Sequence, residues 1–172
     1  DQPAKQRQKD RDARWTKKND ERHYGYKNHV KADAQSKLIE KYAVTDASVH
    51  DSQLLEPLVE PTDGVVYADS AYRSAEAETM LAQQQVASQI HERAYRNHPL
   101  TDAQKETNRQ KSKVRARIEH VFGYMSQSMK GFYLRYIGKQ RNAAAIGLIN
   151  LIYNMARYEQ IVRLQLLPLR AA

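Results

Sequence analysis

Between residues 23 and 33 the chain reads HYGYKNHVKAD, and apolar and polar side chains alternate along it. A period of two is typical of a β-strand, and here basic residues occupy one of its two faces. KLIEKYAVTDAS, at residues 37–48, continues with spaced aliphatic and aromatic residues and predicts an antiparallel neighbour. The intervening ADAQS is suited to the turn that such a pair needs.

Short apolar segments follow in the middle of the chain. SVHDSQLLEPLVE, at residues 48–60, predicts a short helix. VVYA, at residues 65–68, is a continuous apolar run that stops at Asp69, and such a run is typical of a strand buried on both faces. A helix with acidic residues in its first turn is predicted from Ser74, and VASQIHE, at residues 86–92, predicts another strand.

Helical spacing dominates the C-terminal part of the chain. Thr101 and Gln104 have the spacing of a capping box, so a long helix is predicted from Thr101, with fraying through residues 105–113. Its core stripe comprises Val114, Ile118, Val121, Phe122 and Met125. A final helix at residues 140–166 is apolar on most sides and is predicted to be well buried. This order of strands and helices indicates an α/β fold, a mixed sheet covered by helices.

The charge balance points to an anionic partner. The chain carries 28 Lys and Arg against 20 Asp and Glu, a net charge of +8, and the sequence pI is about 9.6. Nucleic acid is the first candidate, although a basic protein without such a partner has the same charge. The lack of cysteine excludes disulfides and thiolate metal sites and fits a reducing compartment such as the cytoplasm. No apolar run reaches the length of a membrane span.

Residues 1–22 are highly charged and nearly free of aliphatic side chains. We interpret them as a lead-in segment that is either solvated or in contact with nucleic acid, and their composition is compatible with disorder. Trp15 is expected to anchor the end of this segment. The remainder is long enough for one domain with a hydrophobic core, which we place at residues 23–168.

Three acidic residues are candidates for chemistry, and each has a structural alternative. Asp69 follows VVYA, at the kind of strand end where open α/β sheets place ligands, but a turn cap is as good an interpretation. Glu119 lies beside the core stripe in KVRARIEHVFG, but Arg115 four residues earlier would form an ordinary helix ion pair with it. Asp51 is better suited to cap a helix than to bind a metal together with His50.

Basic residues are the candidates for phosphate contacts. The six that we select are Lys27, Arg73, Lys113, Arg115, Arg117 and Lys130. Interleaved tyrosines, among them Tyr72 and Tyr124, would add stacking or backbone contacts. The alternative is a solvated basic face beside core aromatic residues. The chain contains no P-loop, dinucleotide fingerprint or nucleophile elbow.

Several stretches together resemble bacterial insertion-sequence DDE transposases, which have an RNase H-like catalytic core. The matching elements occur in the family order and are DARWTKK, YGYKNHVKAD, VTDASVHDSQLL, VYADSAYRS, RARIEHVFG and IGLINLIYNMARY. The resemblance implies that Asp69 is the second catalytic aspartate, that Glu119 is the catalytic glutamate and that Arg115 contacts phosphate. It also implies that both acids bind a pair of divalent metal ions, Mg²⁺ or Mn²⁺, used in phosphoryl transfer.

The same resemblance implies a function and partners. The function is a DNA transposase that cuts and joins DNA at the ends of a mobile element. The partners are transposon ends and target DNA, the setting is the bacterial nucleoid, and a homodimer on DNA is compatible with the pattern. The alternative is a non-catalytic DNA-binding remnant or regulator derived from a transposase. A basic structural domain without a nucleic-acid role is a third interpretation.

Two departures from the family pattern bear on that function. A wider family signature has Tyr seven residues before the glutamate and Lys seven after it, whereas this chain has Ser112 and Ser126, with Lys113 or Lys130 as candidate substitutes. The family's first aspartate lies on a strand upstream of DARWTKK. Asp10 and Asp12 lie in a charged segment without a strand pattern, so neither is assigned that role. We therefore interpret the chain as the C-terminal portion of a transposase that lacks its first strand and first catalytic aspartate.

Overall fold

The structure is a computed structural model of the chain, and it describes residues 3–18, 20–131 and 133–167, apart from the side chain of Lys18. The chain forms two compact units, of which the first comprises Asp1–Val49 and Phe122–Ala172 and the second comprises His50–Val121. Residues 1, 2 and 19 of the predicted lead-in, and the predicted domain boundary at residue 168, lie outside the described residues.

The first unit is built on a three-stranded sheet with the strand order β1-β2-β3. Its antiparallel strands are β1 (Arg14–Lys18), β2 (Glu21–Ala32) and β3 (Ile39–Asp46). The carboxylate of Asp33 accepts a hydrogen bond from Ser36 N at 2.5 Å and so closes the turn between β2 and β3. The strand pair predicted from residues 23–48 is confirmed.

Helix α5 (Lys139–Arg163) packs against this sheet through polar groups. Asn150 exchanges side-chain hydrogen bonds with Asn28 of β2 at 2.8 and 3.2 Å. The Asn154 side chain binds both the N–H and the C=O of Ile39 at 2.8 Å. A buried amide is stable only when it is hydrogen bonded, so these contacts fix the helix at one position along the strands.

The prediction that the final helix is well buried is wrong for its outer side. Leu148, Leu151 and Met155 are 60%, 54% and 64% exposed, whereas Asn142 and Asn150 are buried. A helix that lies on a sheet turns only one side toward it, so an apolar composition all around the helix does not decide burial.

The charged lead-in contains regular structure among its described residues. Helix α1 (Pro3–Arg7) and strand β1 both fall within it. Asp10 and Asp12 cap the N-terminus of α5, since their Oδ2 atoms accept hydrogen bonds from Gly138 N and Lys139 N at 3.0 Å. The lead-in is therefore attached to the first unit by its acidic residues rather than solvated along its whole length.

The second unit surrounds a small apolar core made of Leu55, Val59, Ala68, Leu81, Val86 and Ile90. Its elements are α2 (Leu55–Leu58), β4 (Val65–Val66), α3 (Ala75–Gln83), β5 (Ala87–Ser88) and the larger part of α4 (Asp102–Gln127). Strands β4 and β5 pair in parallel. The short helix and the second helix predicted between residues 48 and 83 are confirmed, whereas the strand predicted over residues 86–92 is limited to Ala87–Ser88.

Both predicted helix starts in this unit are confirmed by their caps. Ser74 Oγ accepts a hydrogen bond from Ala77 N at 3.1 Å at the start of α3. At the start of α4, Thr101 N donates to Gln104 Oε1 at 2.9 Å and Gln104 N donates to Thr101 Oγ1 at 3.3 Å. The predicted fraying of α4 is wrong, because the helix continues unbroken through Gln127. Its early turns are rich in Lys, Glu, Gln and Arg, which favour helix even when exposed.

The predicted strand VVYA is shorter and more exposed than its apolar run indicates. Only Val65–Val66 has strand geometry, and Val65 is 43% exposed, so burial on both faces is wrong. The α/β class is confirmed, but the described strands form a three-stranded antiparallel sheet and a two-stranded parallel sheet instead of one mixed sheet. No helix in the described part of the chain is both long enough and apolar enough to cross a membrane.

Candidate active site

Asp69 lies just beyond β4 and caps the turn of 3-10 helix that follows. Its Oδ1 atom accepts a hydrogen bond from Ala71 N at 2.9 Å, so the turn-cap interpretation describes a real contact. Its other oxygen, Oδ2, accepts no hydrogen bond from the described residues. The carboxylate therefore has a fixed orientation and one oxygen free to bind a cation.

Glu119 projects from α4 and pairs with Arg115 one turn earlier. Arg115 Nη2 donates to Glu119 Oε1 at 2.9 Å, and the Glu119 side chain is 60% exposed. An exposed pair of this spacing contributes only about 0.3–0.5 kcal/mol, so it does little for stability. Arg115 also keeps its buried Nε–H without a hydrogen-bond partner among the described residues.

His91, which we did not select from the sequence, is hydrogen bonded next to Asp69 and lies close to α4. Its backbone N–H donates to the carbonyl oxygen of Ala68 at 3.0 Å, directly before Asp69. Its Nε2 atom is 3.4 Å from Ser112 Oγ on α4. A histidine in a polar loop has no distinctive spacing, so only the fold identifies it.

The charges around His91 connect the two candidate acids. Burial is the main cause that lowers the pKa of His91, followed by the positive charges of Arg115 and Lys111, while the carboxylate of Asp69 acts to raise it. Asp69 and Arg115 therefore both lie within electrostatic range of the same imidazole, and Arg115 in turn binds Glu119. The electrostatic influence of Asp69 and Arg115 on His91, and the hydrogen bond from Arg115 to Glu119, thus relate the two acids to each other within the second unit.

Arg73, one of the basic residues selected from the sequence, takes part in an ion-pair network. Its Nη1 atom lies 3.0 Å from Glu92 Oε1 and 3.7 Å from Glu78 Oε1, and it donates to the carbonyl of Ile90 at 3.3 Å. Lys111, which is buried, donates to the same carbonyl at 2.9 Å. These two cations hold the Ile90 carbonyl directly before His91 and lie near the Glu92 carboxylate directly after it, so they support the geometry of the site.

The other selected basic residues lie in three different places. Lys113 and Arg117 are exposed and share one side of α4, because they are four residues apart. Arg115 and Glu119 are on the nearly opposite side of that helix, since residues two apart point away from each other at 3.6 residues per turn. Lys27 and Lys130 belong to the first unit, where Lys27 Nζ donates to the Val49 carbonyl at 2.8 Å.

Asp51, the third candidate acid, is not the helix cap that its position suggests. His50 is the N-cap, and its ring Nδ1 accepts a hydrogen bond from Ser52 N at 3.3 Å. The negative charge of Asp51 nevertheless reaches Tyr72. Burial, then Asp51, then Asp69 raise the pKa of the Tyr72 hydroxyl to about 12. Asp51 and Asp69 thus lie near the same tyrosine.

The acids in the second unit suit a metal ion in kind but not in number. Carboxylate oxygens are the ligands that Mg²⁺ and Mn²⁺ prefer. Within the described residues, however, no group of three or more His, Asp or Glu is arranged to hold a metal ion. Asp69 and Glu119 together would supply part of a coordination shell and leave the rest to water or to further ligands.

Comparisons with known proteins agree on one family. Residues 1–155 match the family model described as "Transposase DDE domain". The chain is 37% identical over 151 residues to the transposase for insertion sequence element IS1106 of Neisseria meningitidis serogroup B. That alignment covers 87% of this chain and 52% of the relative, so the chain spans about half the length of the curated relative it matches. No solved structure matches the chain.

Proposed function

Because the chain belongs to the transposase DDE domain family, we propose that it is part of a bacterial insertion-sequence transposase that cuts and joins DNA. In this proposal Asp69 and Glu119 are catalytic carboxylates, and the fold around them is RNase H-like. The reaction is metal-dependent phosphoryl transfer at transposon ends and target DNA. The observation that supports the proposal most is that Asp69 and Arg115, the hydrogen-bond partner of Glu119, both act electrostatically on His91 within the second unit.

The two acids have the properties that metal ligands need. Each carboxylate is held by one hydrogen bond and keeps one oxygen that accepts no hydrogen bond from the described residues. Each is attached to a different element, so they would approach an ion from two directions. A bound divalent pair would activate the attacking oxygen and stabilise the leaving oxygen of a phosphodiester.

The basic residues have separate tasks in this proposal. Arg115 directs a partly buried guanidinium toward Glu119, where it would bind a phosphate oxygen beside the metal. Lys113 and Arg117, on the other side of α4, would contact the DNA backbone away from the reacting bond. Arg73 would act on the protein itself, by joining the segment that follows Asp69 to the segment that carries Glu92.

A non-catalytic, DNA-binding derivative of a transposase is the second candidate function. It is favoured by one observation, the lack of a three-acid group in the described part of the chain. Two carboxylates position a metal pair poorly, because each missing ligand leaves coordination to mobile water.

Binding of Mn²⁺, measured by electron paramagnetic resonance, tests the proposed carboxylates directly. We expect weak binding by the wild-type chain and weaker binding by both Asp69→Asn and Glu119→Gln. Each single variant should lower the free energy of Mn²⁺ binding by some amount. If the two acids share an ion, the loss in the double variant should be smaller than the sum of the two single losses. Asp102→Asn is the control, because Asp102 is a 98% exposed acid on the same helix as Glu119. Equal Mn²⁺ binding by the wild type and both single variants would contradict the proposal.

A further inference from the structure

The hairpin of β1 and β2 carries two aromatic and two basic residues on one face. Trp15 pairs with Tyr24, and Lys17 pairs with Arg22, in the antiparallel register. Directly opposed residues share a face, and residues two apart along a strand share it as well. These four residues, Trp15, Lys17, Arg22 and Tyr24, form what we call the hairpin face.

Both aromatic rings of the hairpin face are open to solvent. Trp15 is 64% exposed and Tyr24 is 49% exposed, although tryptophan is highly buried on average in folded proteins. Trp15, which we expected to anchor the end of the lead-in, contacts the ring of Tyr24 and is not buried. An exposed pair of large rings is typical of a surface that meets a partner.

The ring pair is held in place before any partner arrives. The ring centroids are 5.0 Å apart with an interplanar angle of 47°. The hydroxyl of Tyr24 donates a hydrogen bond to the carbonyl oxygen of Asp10, which fixes the tyrosine. A fixed platform loses little conformational entropy on binding, so its contacts contribute more fully to affinity.

The surroundings of the rings are positively charged. Arg22 is exposed, and Lys17 is 63% exposed beside Asp20 at 2.6 Å. Further exposed cations lie in the segment that leads into β1, namely Lys5, Arg7, Lys9 and Arg11. The two acids of that segment, Asp10 and Asp12, are directed to the N-terminus of α5. Asp20 and Glu21 at the hairpin turn are also exposed, but residues 3–24 still carry eight Lys and Arg against four Asp and Glu, an excess that is complementary to phosphate.

We propose that the hairpin face binds unpaired DNA, with bases stacked on Trp15 and Tyr24 and phosphates on Lys17 and Arg22. Exposed aromatic rings beside cations are the combination that binds single strands, because every base offers a flat face to stack. In a duplex those base faces are covered by neighbouring base pairs, so only the cations would be used. The hairpin face belongs to the first unit, whereas Asp69 and Glu119 belong to the second, so the proposal goes beyond the catalytic assignment and does not depend on it.

Trp15 is also the reporter for the test, because it is the single tryptophan of the chain. Tryptophan fluorescence would be followed while a thymidine oligonucleotide of about 15 residues is added, with an end-labelled copy followed by anisotropy in parallel. We expect quenching of Trp15 over the same concentration range as the anisotropy change. A duplex of equal length should quench less at equal occupancy, because stacking requires unpaired bases.

Variants then separate stacking from charge. Trp15→Ala should weaken single-strand binding roughly fivefold or more, the lower end of what one stacked base contributes. Lys17→Ala should weaken it less, and its matched control is Lys105→Ala. Lys105 is 62% exposed and pairs with Asp102 at i,i+3, as Lys17 pairs with Asp20. Circular dichroism of each variant confirms that the fold is retained.

Three results would contradict the proposal that the hairpin face binds unpaired DNA. Anisotropy binding without any change in Trp15 fluorescence would place the DNA elsewhere and overturn this inference, while leaving the catalytic proposal intact. Quenching by duplex equal to that by single strand would overturn the stacking claim. No binding of either DNA at low salt would overturn both this inference and the DNA-binding part of the proposed function, whereas Mn²⁺ binding would still report on Asp69 and Glu119.

Discussion

At the scale of single residues, Asp69 combines a structural contact with the proposed chemical one, and substitution can separate the two. Asparagine caps a turn about as well as aspartate, whereas alanine removes the acceptor for Ala71 N. Asp69→Asn should change the free energy of unfolding by less than about 0.5 kcal/mol, and Asp69→Ala should lower it by about 0.5–2 kcal/mol. Urea unfolding measures both. Equal destabilisation by Asn and Ala would mean that the cap is not the structural role of Asp69.

His91 should make stability depend on pH. Its pKa in the folded chain is lowered from 6.5, mainly by burial and then by Arg115 and Lys111, against the opposing charge of Asp69. The unfolded chain therefore binds more protons just below pH 6.5, so the contribution of neutral His91 is fully present above that pH and is lost as the pH falls below it.

The measurement is the free energy of unfolding at pH 7.5 and at pH 5.5 for the wild type and His91→Gln. We expect the wild type to lose more stability on acidification than the variant does. An identical loss in both proteins would remove His91 as the cause.

At the scale of elements, the N-terminus of α5 depends on a distant segment. Gly138 has no side chain to cap the helix, and Asp10 accepts hydrogen bonds from Gly138 N, Ala13 N and the Tyr26 hydroxyl. Partial burial acts to raise the pKa of Asp10, but these hydrogen bonds outweigh it and lower that pKa. Asp10 thus stabilises the fold as an anion.

Asp10→Ala should lower the free energy of unfolding by about 1–3 kcal/mol, because it leaves several partly buried donors unpaired. Asp20→Ala is the control, since the Asp20 side chain is 94% exposed and its partner Lys17 is exposed as well. Thermal or urea unfolding of both variants gives the comparison. A loss in Asp20→Ala as large as that in Asp10→Ala would contradict the capping role.

Elements with a local signal were predictable from the sequence, and elements decided by distant contacts were not. The alternation in β2, the Ser74 cap and the Thr101–Gln104 box depend on neighbours along the chain, and each has its expected structure. The exposure of Val65 and of the outer side of α5 depends on which elements pack against them. Those packing partners are distant along the chain, so the local sequence does not reveal them.

The candidate site divides in the same way. Asp69 and Glu119 were selected as candidates through their motifs, and the cap of Asp69 and the ion pair of Glu119 follow from short-range spacing. His91 was missed because its position beside Ala68 and Ser112 results from the pairing of β4 with β5 and from the packing of α4. Arg73 has the composition of a phosphate ligand, but its carboxylate partners come from two other segments.

At the scale of the whole molecule, the net charge of +8 leads us to expect DNA binding. We expect the 172-residue chain to bind DNA with an affinity that falls steeply with salt, because neutralised phosphates release counterions. We expect no nicking or joining of DNA with Mg²⁺ or Mn²⁺, because the described residues offer no third ligand to fix a metal pair.

Filter binding at several salt concentrations and nicking of supercoiled plasmid test these expectations. Metal-dependent nicking that is lost in Asp69→Asn would show that an acid already in the chain, with Asp51 as the first candidate, completes the site. Nicking that survives in both Asp69→Asn and Glu119→Gln would point to a contaminating nuclease and would be resolved by purification of the variants in parallel.

The central claim is that Asp69 and Glu119 bind the same metal ion. Anomalous diffraction from crystals soaked in Mn²⁺ tests it most directly, because the ion is located without reference to activity. The account predicts a peak at about 2.0–2.3 Å from carboxylate oxygens of both residues, within the second unit and next to Arg115. A peak that touches only one of the two carboxylates, or two carboxyl groups pointing to opposite sides of that unit, would contradict the claim.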